Sequence, residues 1–437
     1  MRNSIRYRLF FFLFSPVLLW GQQPAKYWIQ FKDKQGTTFS VEKPEDFLSQ
    51  RAIEKRQRFN IPVTEQDLPV SMSYIRQVLD LDTSMIYFSQ SKWLNGITVY
   101  CEDENIAEKI KQLDFVSNCE RTILMKSPEK RYESWYTYPA SDYTFAQRSA
   151  VLPQQDLDYG KSKGQIRINN AHWLHRMGYR GEGMLMMIID GGFHNVDSIR
   201  HFAKLREENR LWGIRNYVQP DVDPMRKHSH GTSVLSCIVS YIPGVLIGTA
   251  PMSSVYIAQT EDGRTENKVE EDNLAAGLEW ADSLGCDVIN ISLGYTQFDD
   301  TILPVRVHAD LTGMVSRASQ AASIAASKGM IVCNSAGNSG EMQWRKISSP
   351  ADAKDILTVG GIDIHGKRAS FSSYGPTADG RIKPDACAVG RNAYAANPFG
   401  KTSLINGTSF SSPILAGMVA CLWQIFPEKS NYEIMDA

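Results

Sequence analysis

Apolar positions change their rhythm twice along the chain, and each change marks a different kind of unit. The first apolar run is Leu9 to Trp20; Arg2, Arg6 and Arg8 precede it and Gly21 and Gln22 follow it. That is the layout of a secretory signal peptide, with cleavage near Gly21. The run is shorter than the roughly 20 apolar residues that span a bilayer, and Pro16 interrupts it. No other segment reads as long and apolar enough to cross, so the mature protein is expected without a membrane span, secreted or periplasmic.

After the leader, β-rich runs alternate with helical spacing. Tyr27 to Lys32 predicts a strand, Pro44 opens a predicted helix through Asn60, and Met72 to Leu79 predicts a second helix. Met85 to Ser89 and Gly96 to Tyr100 flank SKWLN as a hairpin, and Glu104 to Leu113 returns to helical period with Ile106, Ile110 and Leu113. Residues 22–125 therefore read as a small α+β domain behind a signal peptide of 1–21. Arg51, Lys55, Arg56 and Arg58 lie on its first helix with no aromatic platform beside them, and are expected to form a solvated outer face. Residues 126–164 are polar, Tyr-rich and Pro-punctuated, the texture of a linker.

From residue 165 onward the rhythm shifts again, to short apolar strands alternating with helices. The strands are Met184–Ile189, Ser254–Gln259, Val288–Ser292, Met330–Ser335 and Leu357–Ile362; the helices are Thr232–Tyr241, Lys268–Leu284 and Gly313–Lys328. This alternation predicts an α/β fold, a mostly parallel sheet with helices on both faces, over residues 165–437. Active residues in such sheets gather beyond the carboxyl ends of the strands.

Composition narrows the function. With 43% hydrophobic and 22% charged residues the chain can pack a core and is neither collagen-like, coiled-coil nor disordered. Lys plus Arg is 47 against 48 for Asp plus Glu, which gives no electrostatic reason to expect a nucleic-acid partner. The seven cysteines form no CxxC pair or metal-ligand spacing. Cys237, Cys286 and Cys333 read as buried small hydrophobes, and a Cys101–Cys119 disulfide stays open.

Four positions could carry chemistry. Asp190 follows the apolar strand LMMII and precedes Gly191-Gly192, where its carboxylate could orient a histidine; taken alone it also fits an Asx turn. His230, in HSHGTSV, sits at a helix mouth, the usual type of general base for a hydroxyl. His228 and His230 could share a face as metal ligands, but no third ligand and no HExxH accompany them. Ser409, in NGTSFSSP, falls at a turn-to-helix junction, where free N–H groups and the dipole would stabilise charge forming on a substrate oxygen; an ordinary capping serine fits too, and Ser411 and Ser412 compete as nucleophiles from deeper in the helix. Asn338, in SAGNSG, could donate its amide to an oxyanion or simply serve the turn.

Together the segments IIDGG, HGTSV, SAGNSG and NGTSFSSP, with VINISLG and GTAP between them, resemble the subtilisin-like serine proteases in the order Asp, His, Ser. The resemblance implies that Asp190 supports His230, that His230 deprotonates Ser409, and that Asn338 with the Ser409 N–H holds the oxyanion. It implies that Ser292, Leu293 and Gly294 pair with an extended polypeptide substrate. It further implies that the small domain is a propeptide acting as an intramolecular inhibitor and cut away in the linker. No cofactor is required for the chemistry, and structural calcium is left open. Gly191, Ser233 and Phe410-Ser411 depart from the family pattern without removing a reacting group, and Ala437 follows Ser409 so closely that truncation stays open. The alternative is a catalytically silent subtilase-fold protein that binds peptides; an esterase of another α/β fold is disfavoured because GxSxG is absent around Ser409.

Overall fold

The computed structural model describes residues 24–125, 156–300 and 306–437. The expected signal peptide and most of the expected linker lie outside the described residues.

The N-terminal unit runs β1 (Ala25–Phe31), α1 (Gln50–Arg58), α2 (Met72–Leu79), β2 (Ile86–Ser91), β3 (Gly96–Cys101), α3 (Asn105–Lys111) and β4 (Val116–Leu124). Its four strands pair antiparallel in the order β2-β3-β1-β4. Strand alternation sorts the side chains. Tyr27, Ile29 and Phe31 join Ile97 and Val99 in a core with Ile75, Val78, Ile106 and Ile110 of the helices. Trp28, from the opposite face, belongs to the core of the C-terminal unit together with Trp93 and Leu94. The helix expected from Pro44 onward is split: Pro44 opens one 3₁₀ turn to Asp46, and α1 starts afresh because Ser49 Oγ accepts from Ala52 N at 3.2 Å as an N-cap. Cys101 and Cys119 are buried and free, so the disulfide left open by the sequence does not form.

The C-terminal unit begins with α4 (Lys163–Ile168) and α5 (Ala171–Arg176), followed by β5 (Leu185–Asp190), α6 (Ala203–Glu207), β6 (Leu211–Asn216), α7 (His230–Val239), β7 (Tyr241–Ile242), β8 (Leu246–Ile247) and β9 (Ser254–Gln259). It continues with α8 (Val269–Leu284), β10 (Val288–Ile291), α9 (Arg317–Ser327), β11 (Ile331–Ser335), β12 (Leu357–Ile362), β13 (Ala386–Val389), β14 (Ala393–Ala396), β15 (Thr402–Ile405), α10 (Thr408–Ile425) and α11 (Asn431–Met435). Seven strands form one parallel sheet in the order β13-β12-β11-β10-β5-β9-β6. Both faces are covered, which is why its central strands are apolar throughout. Met186 and Ile188 of β5 pack with Val234, Leu235, Ile414 and Val419 from α7 and α10. Leu185, Met187 and Ile189 pack with Leu274, Leu278, Ala318 and Ala322 from α8 and α9. Full burial stabilises each large apolar side chain by about 1.5–3 kcal/mol. The strand β5 lies where the order reverses, between β9 and β10, and its carboxyl end is the position at which such sheets form a crevice.

Two expectations are corrected. By length and mean hydropathy, 1.2, α10 could cross a membrane, contrary to the reading that no segment beyond the leader is long and apolar enough; 83% of it is buried, as the core helix between α7 and the sheet. Second, Arg51, Lys55 and Arg56 are not a solvated face: they are 9%, 5% and 2% exposed, because α1 is pressed against the end of α8. Arg51 Nη2 donates to Asp287 Oδ2 at 2.5 Å, and Lys55 Nζ donates to the Cys286 carbonyl. Arg56 Nη2 bonds Asp282 Oδ1 at 2.9 Å and Asp67 Oδ1 at 3.0 Å, and Lys92 Nζ meets Asp282 Oδ2 at 3.1 Å. The Glu279 carboxylate accepts from Ser91 Oγ and from the backbone N–H groups of Lys92 (2.7 Å) and Trp93 (3.0 Å). Each of these buried charges thus finds an opposite charge, a carbonyl acceptor or a set of donors, without which burial would cost several kcal/mol per ion.

Candidate active site

Asp190, the last residue of β5, is completely buried, and one of its carboxylate oxygens accepts from Gly191 N at 2.7 Å. Beyond it the chain turns through Gly192 (φ +147°), where a Cβ would come within 2.5 Å of the Lys227 carbonyl oxygen. Gly231 is equally constrained: its N–H donates to Gly192 O at 2.9 Å, and a Cβ there would lie 2.6 Å from that oxygen and 2.9 Å from Asp190 Cβ. These glycines let the His helix begin directly on the Asp strand. His230, the first residue of α7, consequently sets Nδ1 2.9 and 3.0 Å from the two Asp190 carboxylate oxygens. The carboxylate accepts the Nδ1 proton, which leaves Nε2 of the neutral ring as the basic nitrogen. Burial of the ring opposes its charge, but the Asp190 carboxylate, with Glu261 behind it, outweighs burial and raises the imidazole above its ordinary pKa.

Ser409 is the second residue of α10. Four residues on, Pro413 has no N–H to give the Ser409 carbonyl, and that carbonyl instead accepts from Ser292 Oγ at 2.8 Å. In return Ser409 Oγ donates to the Ser292 carbonyl at 3.3 Å, a long bond. Asn290, on β10, steadies the pair by donating to Ser292 Oγ at 3.0 Å while accepting from Ser412 Oγ at 2.8 Å. Ser411 and Ser412 are wholly buried, so of the three serines considered only Ser409 lines the cavity.

Asn338 lies on the turn after β11 and is exposed at the same cavity. Its side-chain oxygen is taken up by Thr408, from N at 2.9 Å and Oγ1 at 3.1 Å. The amide NH₂ is therefore the end left to donate. Asp190, His230, Ser292, Leu293, Gly294, Asn338 and Ser409 all line one open cavity of about 470 Å³. Leu293 and Gly294 make no backbone–backbone hydrogen bond among the described residues, whereas the next residue, Tyr295, pairs with Ser349 at 2.7 Å. His228 lines the same cavity, with its Nε2 3.8 Å from Asp262 Oδ1.

Two residues of the site were not singled out from the sequence. Thr408 orients Asn338 from an adjacent helix start, a contact with no local signal. Glu261 lines the cavity two residues past the end of β9, and burial, followed by the Asp190 charge, pushes its carboxyl up to about 7. The strand-end rule that singles out Asp190 would have found it.

Comparisons with known proteins give the relatives of this chain. Residues 155–437 match the model of the subtilase family, and residues 26–134 match that of the peptidase S8 propeptide domain of Bacteroidota. An alkaline protease of Shouchella clausii is 26% identical over 368 residues, covering 79% of this chain and 84% of the relative. Subtilisin E of Bacillus subtilis strain 168 is 28% identical over 329 residues, 75% of each chain. A solved cold adapted subtilisin-like serine proteinase aligns at TM-score 0.46 and 22% identity over 59% of this chain and 81% of its own. With a family model spanning well over half its length and a matching propeptide ahead of it, this chain belongs to the subtilase family, a serine endopeptidase made in precursor form.

Proposed function

We propose that the chain is an exported endopeptidase that cuts polypeptides through Asp190, His230 and Ser409. Ser409 Oγ attacks the scissile carbonyl carbon while His230 Nε2 takes its proton, and Asp190 stabilises the imidazolium that results. The Asn338 amide and the Ser409 backbone N–H receive the negative oxygen. His230 then protonates the departing amine, leaving an acyl-enzyme that water resolves by the same steps in reverse. The open backbone of Ser292, Leu293 and Gly294 takes the substrate as an added strand, so affinity comes from main chain and many side chains are tolerated. In the precursor, residues 1–21 direct export, 22–125 form the inhibitory domain, 126–164 contain the cut, and 165–437 catalyse.

The observation that carries this reading is the two-oxygen grip of Asp190 on His230 Nδ1 beside a helix-start serine. One observation favours the second reading, a silent peptide binder: Ser409 Oγ bonds the Ser292 carbonyl and makes no bond to His230. Catalytic hydrogen bonds often tighten only around substrate, and rotation about the Ser409 side-chain torsion suffices to break the 3.3 Å bond. Mass spectrometry of the purified protein incubated alone, beside Ser409→Ala, decides between them. Self-cleavage within 126–164 by the parent only is expected, with labelling of Ser409 by a serine-directed phosphonate. A folded, processed protein that takes no label is the binder.

A further inference from the structure

Strand β10 reads VINI, and Asn290 is its one polar side chain. The backbone there is paired on both sides, to Cys333 of β11 and to Ile188 of β5, and the residue is completely buried. An amide in an apolar core is costly unless its groups are bonded. Here both ends are used: Oδ1 accepts from Ser412 Oγ at 2.8 Å, and Nδ2 donates to Ser292 Oγ at 3.0 Å. Ser292 Oγ in turn donates to the Ser409 carbonyl at 2.8 Å. This series of bonds leaves α10 at Ser412, passes through β10 at Asn290 and returns to α10 at the nucleophile.

Every bond in the series has a fixed direction. Pro413 has no N–H for the Ser409 carbonyl, so that oxygen depends on the Ser292 hydroxyl. A serine hydroxyl has one proton to give. Once it goes to Ser409, Ser292 Oγ can only accept, and the group that gives to it is the Nδ2 end of Asn290. That turns Oδ1 towards Ser412. An ionised aspartate has nothing to donate and an aliphatic side chain neither donates nor accepts, whereas an amide does both. A second tie, from Thr408 to Asn338, holds the oxyanion side of the same helix start.

We propose, resting on the endopeptidase reading above, that Asn290 is a positioning residue: through Ser292 it fixes the first turn of α10 and with it the Ser409 hydroxyl. Asn290 does not itself line the cavity, so it acts on the reaction only through Ser292. Nucleophile and scissile carbon must approach to about 3–3.5 Å with their orbitals aligned, and a displacement of about 1 Å costs on the order of 100-fold in rate. The first turn of α10 lacks the helical bond that Pro413 cannot make, and the bonds from β10 replace it. Ser292 also belongs to the segment that takes the substrate strand. One brace therefore registers the nucleophile against the bond to be cut.

The test follows self-cleavage of the full-length chain, a first-order process that needs no added substrate, with circular dichroism to confirm folding. Asn290→Ala should slow it by about ten-fold or more at every pH. Asn290→Asp should be as slow in mild alkali, where the carboxylate draws the Ser292 proton away from Ser409. A protonated carboxyl accepts and donates as the amide does, and burial raises its pKa. The Asn290→Asp rate, divided by the parent rate, should therefore climb by about five-fold or more from about pH 8 to about pH 5.5, a recovery that a change in packing does not give. Combining Asn290→Ala with Ser292→Ala should be no slower than the slower single variant, because one residue acts through the other. Should Asn290→Ala fail to fold, Ser292→Ala decides, with the same loss of about ten-fold or more. A parent that cleaves while the deciding alanine variant matches its rate overturns the proposal, and so does an Asn290→Asp ratio that stays flat with pH. A parent that does not cleave overturns the endopeptidase reading and this inference with it.

Discussion

Asn338 commits one end of its side chain to Thr408 and keeps the other for the cavity, so its two roles are separable. Asn338→Ala should lower kcat by about 10²–10³ with KM little changed, and should also lower Tm, since Thr408 N loses its acceptor. Asn338→Asp retains that acceptor but replaces the donor, so it should recover the melting temperature without recovering kcat. Peptide-ester kinetics beside a thermal melt check both outcomes. The reacting positions were legible because each sits at a strand end or helix start beside turn residues. Thr408 was not, because its partner lies 70 residues away and the contact exists only once α10 meets β11. The part played by Asn290 was hidden for a related reason: its partner Ser412 lies 122 residues downstream.

At the scale of elements, two close chain crossings of the site depend on a missing side chain at Gly231 and Gly192. Gly231→Ala forces a Cβ onto the Gly192 carbonyl, the Phe193 ring and Asp190. Overpacking of this kind costs about 1–3 kcal/mol. The variant should melt earlier in a denaturant series and lose activity beyond what its folded fraction explains, because α7 must shift and carry His230 away from Asp190. Central strands were readable as apolar runs: Ser254–Gln259 and Leu357–Ile362 agree to the residue. Three edge strands were not. In β6 every residue is half-buried, β13 is four residues long, and β4 carries Glu120 and Arg121 in its middle, so none offers an uninterrupted apolar signal. Likewise α7 starts at His230, two residues before the expected Thr232, since the packing of Gly231 against Gly192 sets the helix start.

At the scale of the whole molecule, buried ionisable groups help to hold the propeptide, which a reading of α1 as a free helix could not anticipate: its partner surface lies more than 200 residues downstream. In the docked state burial raises Glu279 from 4.5 to about 7 and Asp272 from 3.8 to about 6. The docked state therefore binds more protons than the separated one. Association is strongest below the ordinary carboxyl range and weakens as pH climbs through the raised values. Burial also opposes ionisation of Asp282, but Arg56 and Lys92 hold its carboxyl far below its ordinary 3.8, so its contribution is lost only in stronger acid. The lifetime of the cleaved but still associated complex, followed by size-exclusion chromatography, should shorten from about pH 5 to about pH 8. Glu279→Gln should flatten that dependence.

The Arg51–Asp287 contact reaches further than the interface. Asp287 also accepts from Leu185 N at 2.9 Å, so a single guanidinium clips together the starts of two neighbouring strands that are a hundred residues apart in the chain. Parallel pairing over such separations is slow to nucleate, because loop closure must precede any gain in contacts. If the N-terminal unit is cut away after folding, that clip goes with it, and a processed enzyme that has been denatured is then expected to renature more slowly than the full-length chain, as recovery of activity after dilution from denaturant would show.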